Sequence, residues 1–254
     1  ATEGDINNIV NPGSITPDGG EIGKVDRMVA LAAGLGMFLA SLDIALNVAL
    51  PSLREDFDTD LQTVQWVIVA FIATRAGLVL GAGSFGDRFG LKPVYLFGAA
   101  TYLLAMVLIS YSPNLGTMVG FRIVQALSVG CLYAVSPAIA AKVFPAGMRG
   151  LGMGFTAGSQ ALGMLAGTLG AGLLIRWFDW ESVFLGRIPF AAIAFLIAWK
   201  FMKGQERQSQ ETSFDIIGAV SLIGALLGLV IGLRLGRSEG WTSPEVLVLL
   251  SLAP

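Results

Sequence analysis

The chain has 254 residues, 54% hydrophobic and 13% charged, with a mean hydropathy of +0.72 and a formal net charge of −2. Soluble domains carry roughly 25% charged residues, so this composition marks an integral membrane protein, and the small negative charge excludes the basic character of a nucleic-acid binder. With no histidine and a single cysteine, Cys131, the chain can form no intramolecular disulfide and lacks a soft-metal or haem ligand set; no metal and no cofactor are expected.

Residues 1–23 are polar and rich in Gly, Asn, Pro and Asp, and lack the basic and apolar regions of a signal peptide. They read as a flexible tail. A membrane-spanning helix needs about 20 apolar residues. Such helices are predicted at 28–50, 64–86, 94–111, 117–141, 152–175, 188–203 and 214–233, and an eighth run from Pro244 to Pro254 is too short to span. Pro51 closes the first helix, Lys92-Pro93 opens the third, and Ser112-Pro113-Asn114 turns the chain into the fourth. The expected organisation is a tail over 1–23, a six-helix unit over 24–203, a cytoplasmic linker over 204–213, and an incomplete helix hairpin over 214–254.

Basic residues set the orientation. With the N-terminus inside, nine Lys and Arg fall in inner loops, among them Lys24, Arg88, Lys92 and Arg149. Arg54, Arg176, Arg187, Arg234 and Arg237 fall outside. Trp66, Trp177, Trp180 and Trp241 all land near the outer interface, where indole rings favour the headgroup level. The N-terminus is therefore expected on the cytoplasmic side.

Three charges lie at membrane depth: Asp43 in "SLDIALNVALP", Arg75 in the second helix and Arg122 in the fourth. Burying an ionisable group there costs roughly 2.5–3.5 kcal/mol on insertion scales. Counted from the outer ends of their helices at 1.5 Å per residue, they sit at depths of roughly 7–17 Å. They can neutralise one another if their helices face one cavity. Burial opposes the charged form of the carboxylate and a nearby arginine favours it. That opposition suits a proton-exchanging switch, and a fixed ion pair holding the bundle is the other reading. Asn47 is one turn from Asp43 and Gln125 is at i+3 from Arg122, so each pair shares a helix face. Two polar faces on different helices imply a cavity. Arg75 is the weaker member, since one arginine in a Gly-rich helix could bond a backbone carbonyl.

Two further patterns stand out. "GSFGDRFGLKP" (Gly83 to Pro93) reads as a short loop, with Asp87, Arg88 and Lys92 at the inner water boundary and Gly83 and Gly90 allowing close approach. "GSQALGMLAGTLGAG" places Gly163 and Gly167 at small-xxx-small spacing, with Gly170 and Gly172 beyond. Small residues let membrane helices pack closely; a bending element for a transport cycle is the alternative.

Together these residues resemble the major facilitator superfamily. Gly83 to Lys92 is similar to its motif between helices two and three. Arg122-Ile-Val-Gln125 resembles its Arg-x-x-Gln motif in helix four. The fifth-helix glycines resemble the antiporter motif Gly-x-x-x-Gly-Pro-x-x-Gly-Gly. "LDIALNVALP" resembles the helix-one signature of the fourteen-helix drug:proton antiporters, and "FDIIGAVSLIGALLGLV" with "GWTSPEVLVLL" is similar to their extra linker helices. Each motif alone is weak; the ordered set is specific.

The resemblance implies an all-α integral membrane fold. Its parts would be an N-terminal six-helix bundle of two inverted three-helix repeats, plus one full and one partial extra helix. It implies a proton-coupled exporter of small hydrophobic, often cationic compounds in the bacterial cytoplasmic membrane, or the N-terminal portion of one, and not an enzyme. Asp43 becomes the proton-coupling carboxylate. Asn47, Arg75, Arg122 and Gln125 fall at the cavity, and Asp87 and Arg88 at a cytoplasmic gate. The sequence departs from the pattern at Thr168, where Pro is usual, and at Ala171 and Ala126, where Gly is usual. Leu91 takes a usually basic position and Arg187 a usual Asn. A second six-helix half is missing from the pattern, so a second half or partner membrane subunits are expected. The alternative reading is a transporter-derived, non-transporting structural or assembly subunit of a larger membrane complex.

Overall fold

The computed structural model describes residues 23–202 and the isolated positions 218, 221, 224, 225, 227–229, 231, 232, 240, 243, 244 and 247; the side chains of 79–85, 87 and 146 are outside the description. The expected tail up to residue 22, the linker and nearly all of the extra hairpin lie outside the described residues. The rest is helical, and six segments are long and apolar enough to cross a membrane.

The first span, Lys24–Asp56, is two helices joined by a tighter turn. Helix α1 (Lys24–Ser41) gives way to a 3-10 turn at Leu42–Ala45, and α2 (Leu46–Asp56) follows. Pro51 lies inside α2 and does not close the span as expected. Its missing N–H leaves the carbonyl four residues back, on Asn47, without its helical donor. The turn at Asp60–Thr63 is capped: the Asp60 carboxylate accepts from the Thr63 N–H and hydroxyl, both at 2.8 Å. After the short α3 (Leu61–Val64), α4 runs from Trp66 to Phe89. The predicted Gly83–Pro93 loop is therefore mostly helix. The whole reversal falls on Gly90, at φ 88°, ψ 151°, a conformation essentially confined to glycine.

Helix α5 (Leu91–Ser110) opens at Lys92-Pro93 as read, and the Asn114 side chain caps α6 (Leu115–Val143) by accepting from Thr117 N–H at 2.9 Å. Helix α6 is the central post of the bundle and packs against α1, α4, α5 and α7 (Arg149–Trp177). Its buried positions Met118, Arg122, Gln125, Val129, Leu132 and Ser136 recur every three or four residues, so one helical face carries both core and polar groups. The sixth span, Glu181–Phe201, comprises α8 (Glu181–Leu185) and α9 (Ile188–Phe201).

Close packing fixes the site's walls. A Cβ on Gly163 would collide with the backbone of Phe38, and one on Gly167 would come within 2.9 Å of the Leu42 carbonyl oxygen. These two glycines let α7 lie against the first span next to its 3-10 turn. A Cβ on Gly170 or Gly172 would meet nothing within 4 Å, so close approach among the described residues is confined to Gly163 and Gly167. Helix α7 is unbroken from end to end, which favours packing over bending. Trp180 is turned into the bundle: it is 4% exposed, its ring lies near those of Phe57 and Phe184, and Nε1 donates to Asp56 at 2.9 Å.

Candidate functional site

Asp43 sits on the 3-10 turn that interrupts the first span, where Ser41 folds its hydroxyl back to the Met37 carbonyl at 2.8 Å. Its Oδ1 accepts three hydrogen bonds: Arg122 Nη1 at 3.1 Å, Gln125 Nε2 at 2.7 Å and Arg187 Nη1 at 2.8 Å. Its Oδ2 is buried and has no partner. The i, i+3 spacing on α6 brings Arg122 and Gln125 to the carboxylate together, and Arg122 Nη1 also donates to Gln125 Oε1 at 2.5 Å. The Arg122 guanidinium lies 4.2 Å from the Phe71 ring centroid, and its Nε donates to the Val67 carbonyl at 3.4 Å. Ser128 donates to the Gln125 carbonyl at 2.6 Å.

Arg187 corrects the sequence reading. It was expected in an outer loop; it is 3% exposed and ion-paired to Asp43. It occupies the N-cap position of α9, just after α8, and its guanidinium stands 5.2 Å from the Phe184 ring. The predicted sixth helix at 188–203 would span only about 24 Å at 1.5 Å per residue, short of the ~30 Å hydrocarbon core. Extending it backwards to full length takes in Arg187, and that shortfall was the available signal.

A cavity of about 330 Å³ opens beside the ion cluster, and Asp43, Asn47, Phe71, Arg75, Tyr133 and Gln160 are among its lining residues. Asn47 is exposed at it and Arg75 is half-buried. Arg75 is not in the ion cluster; it stands 5.5 Å from the ring centroids of both Phe71 and Tyr133. Gln160 Nε2 donates to the Tyr133 hydroxyl at 2.5 Å. Tyr133 and Gln160 escaped the sequence reading because neutral polar side chains in a helix carry no charge to mark them.

The gate-loop residues are elsewhere, at the other end of α4. Arg88 is exposed and lies over the Phe89 ring. Lys92 is not simply solvated: Nζ donates to the carbonyls of Trp199 at 3.1 Å and Met202 at 2.5 Å, capping the end of α9. Gly83 lies within α4, and the Asp87 side chain is outside the described residues. Among the described residues no group of His, Cys, Asp and Glu could hold a metal.

The sequence profile of the Major Facilitator Superfamily matches residues 31–252. The chain belongs to that superfamily. It is 31% identical to the riboflavin transporter RibZ of Clostridioides difficile, over 77% of this chain and 43% of that protein. It is 30% identical to a methylenomycin A resistance protein of Streptomyces coelicolor, over 93% of this chain and 50% of that one. The chain thus spans about half the length of the curated relatives it matches. Among solved structures it resembles the superfamily proton:xylose symporter XylE bound to 6-bromo-6-deoxy-D-glucose. The TM-score is 0.60 and the identity 19%, covering 85% of this chain and 54% of that one; this is a likeness of fold. Superfamily membership sets the chain among transport proteins of the membrane and not among enzymes.

Proposed function

We propose that this chain is a proton-coupled exporter of small molecules, or the N-terminal portion of one, with Asp43 as the coupling carboxylate. The observation that carries the reading is the asymmetry of that carboxylate. One oxygen holds the first, fourth and sixth spans together through Arg122, Gln125 and Arg187, while the other is buried and unpartnered in a residue that lines the cavity. A proton can join Oδ2 without first displacing the bonds to Oδ1. Once neutral, the carboxyl accepts more weakly from both guanidiniums, because hydrogen bonds between ionised partners are roughly twice as strong as neutral ones. Protonation therefore loosens a tie between three spans. In this superfamily's manner of transport, bundles rock about a site near the midplane, and such a tie is a means of making that movement depend on a proton. Asn47, Arg75 and Arg122 are assigned to the cavity wall, and Gln125, expected there too, stands behind it, fully buried on the Asp43 carboxylate. Asp87, Arg88 and Lys92 are assigned to a gate on the cytoplasmic face, with the N-terminus on that side of a bacterial cytoplasmic membrane. The other side of the pathway is assigned to a second helical half or a partner membrane subunit.

The test is Asp43→Asn in everted vesicles carrying the full transporter at matched abundance. Proton-driven efflux is expected to fall to background, and Asp43→Glu to recover part of it. Undiminished coupled efflux in the Asn variant refutes the assignment and leaves Asp43 as a structural tie.

A further inference from the structure

Arg75 lines the cavity with its guanidinium 5.5 Å from the centroids of two aromatic rings. The rings attract a cation through their π-faces, but they accept no ordinary hydrogen bond from its five N–H donors. Among the described residues no carboxylate or carbonyl meets those donors. Tyr133 lines the same cavity and can add a donor: its oxygen accepts from Gln160, which leaves the hydroxyl proton able to turn toward a ligand. Asp43 is the one carboxylate among the described lining residues, and both Arg122 and Arg187 are already bonded to it. Counting the cavity wall and the buried Arg187 behind it, one carboxylate thus stands against three guanidiniums. A cation entering here meets like charge in surroundings of low dielectric, where repulsion is strongest. An acidic group meets a planar fork that matches it in two-point geometry.

We propose that the cavity takes an organic anion, its acidic group on the Arg75 guanidinium and the Tyr133 hydroxyl, its apolar body against Ile72 and Met164. This replaces the cationic class that the sequence resemblance suggested. It rests on the export reading only in calling the ligand a substrate. A volume of about 330 Å³ falls at the lower end of the roughly 300–1,000 Å³ range of small-molecule pockets, so the anion is a compact one.

The experiment measures binding and transport separately on the full transporter in nanodiscs and in proteoliposomes. Three probes of one size are compared by equilibrium dialysis: 2-naphthoate, 2-naphthamide and 2-naphthylmethylammonium. The parent protein is expected to bind naphthoate tightest and the ammonium weakest. Arg75→Gln is expected to weaken naphthoate about ten- to a hundred-fold and to leave naphthamide within about twofold, with Arg75→Lys intermediate. Naphthamide or the ammonium binding as tightly as naphthoate overturns the proposal, as does absence of naphthoate binding. So does a naphthoate preference that survives Arg75→Gln. The parent ranking stands as a test even if a variant fails to fold. Anion-selective binding without proton-driven efflux of any probe upholds the ligand class and overturns the export reading. Efflux without anion preference does the reverse.

Discussion

Two guanidiniums and one neutral amide converge on one oxygen of Asp43, so positive groups outnumber the single carboxylate within the bundle. Removing one member of a buried ion pair costs about 3–5 kcal/mol, because the remaining charge is left uncompensated. The three members should therefore not be equivalent. Asp43→Asn strands two guanidiniums and is expected to destabilise at the upper end of that range. Arg187→Asn leaves a balanced Asp43–Arg122 pair and is expected to cost only about 1–2 kcal/mol. The double variant Asp43→Asn/Arg187→Asn should lose less than the two single losses together, with a coupling of about 0.5–3 kcal/mol. Tryptophan-monitored unfolding of the detergent-solubilised protein gives all three values, and strict additivity would show that Arg187 and Asp43 do not depend on each other. Asp43, Arg122 and Gln125 were legible in the sequence because charges and an amide inside apolar runs at helical spacing demand partners. Arg187 was not, since the apolar run that predicts the sixth helix begins just after it.

Among the elements, the interruption of the first span is what aims Asp43 into the bundle, and Gly163 and Gly167 allow α7 to close against it. Alanine at either glycine must push two backbones apart, at about 1–3 kcal/mol for an overpacked contact. Gly170→Ala and Gly172→Ala meet open space and gain helix propensity, so they should be neutral or stabilising. A thermal-shift series over the four single variants separates the pairs; equal losses at all four would contradict the packing account. Gly90→Ala should cost about 1–3 kcal/mol for its backbone conformation alone. The glycine spacing could be read directly, but which half of the motif finds a neighbour depends on the helix opposite. The 3-10 turn left no mark, because "LDIA" contains no helix breaker. Pro51, a strong breaker on paper, is accommodated inside α2, and the glycines of α4 failed to end that helix until Gly90.

At the scale of the molecule, the order of spans and the bundle itself were legible, because long apolar runs separated by caps and turns leave few other arrangements. Orientation is testable by cysteine labelling of a protein freed of its native cysteines. With Cys131→Ser, a cysteine at Thr59 should react with a membrane-impermeant maleimide in intact cells, and one at Met148 should react only after lysis. The reverse pattern would place the N-terminus outside. The Asp43 cluster also has a consequence for biosynthesis. Arg122 lies 79 residues and Arg187 144 residues further along the chain. At about 5–20 residues per second, the first partner is made about 4–16 s after Asp43 and the second about 7–29 s after it. During that interval the first span must enter the bilayer with its carboxylate unanswered by either arginine, held there by an 18-residue stretch of mean hydropathy 2.0. The bonds that later fasten three spans together can contribute nothing to the insertion of the first.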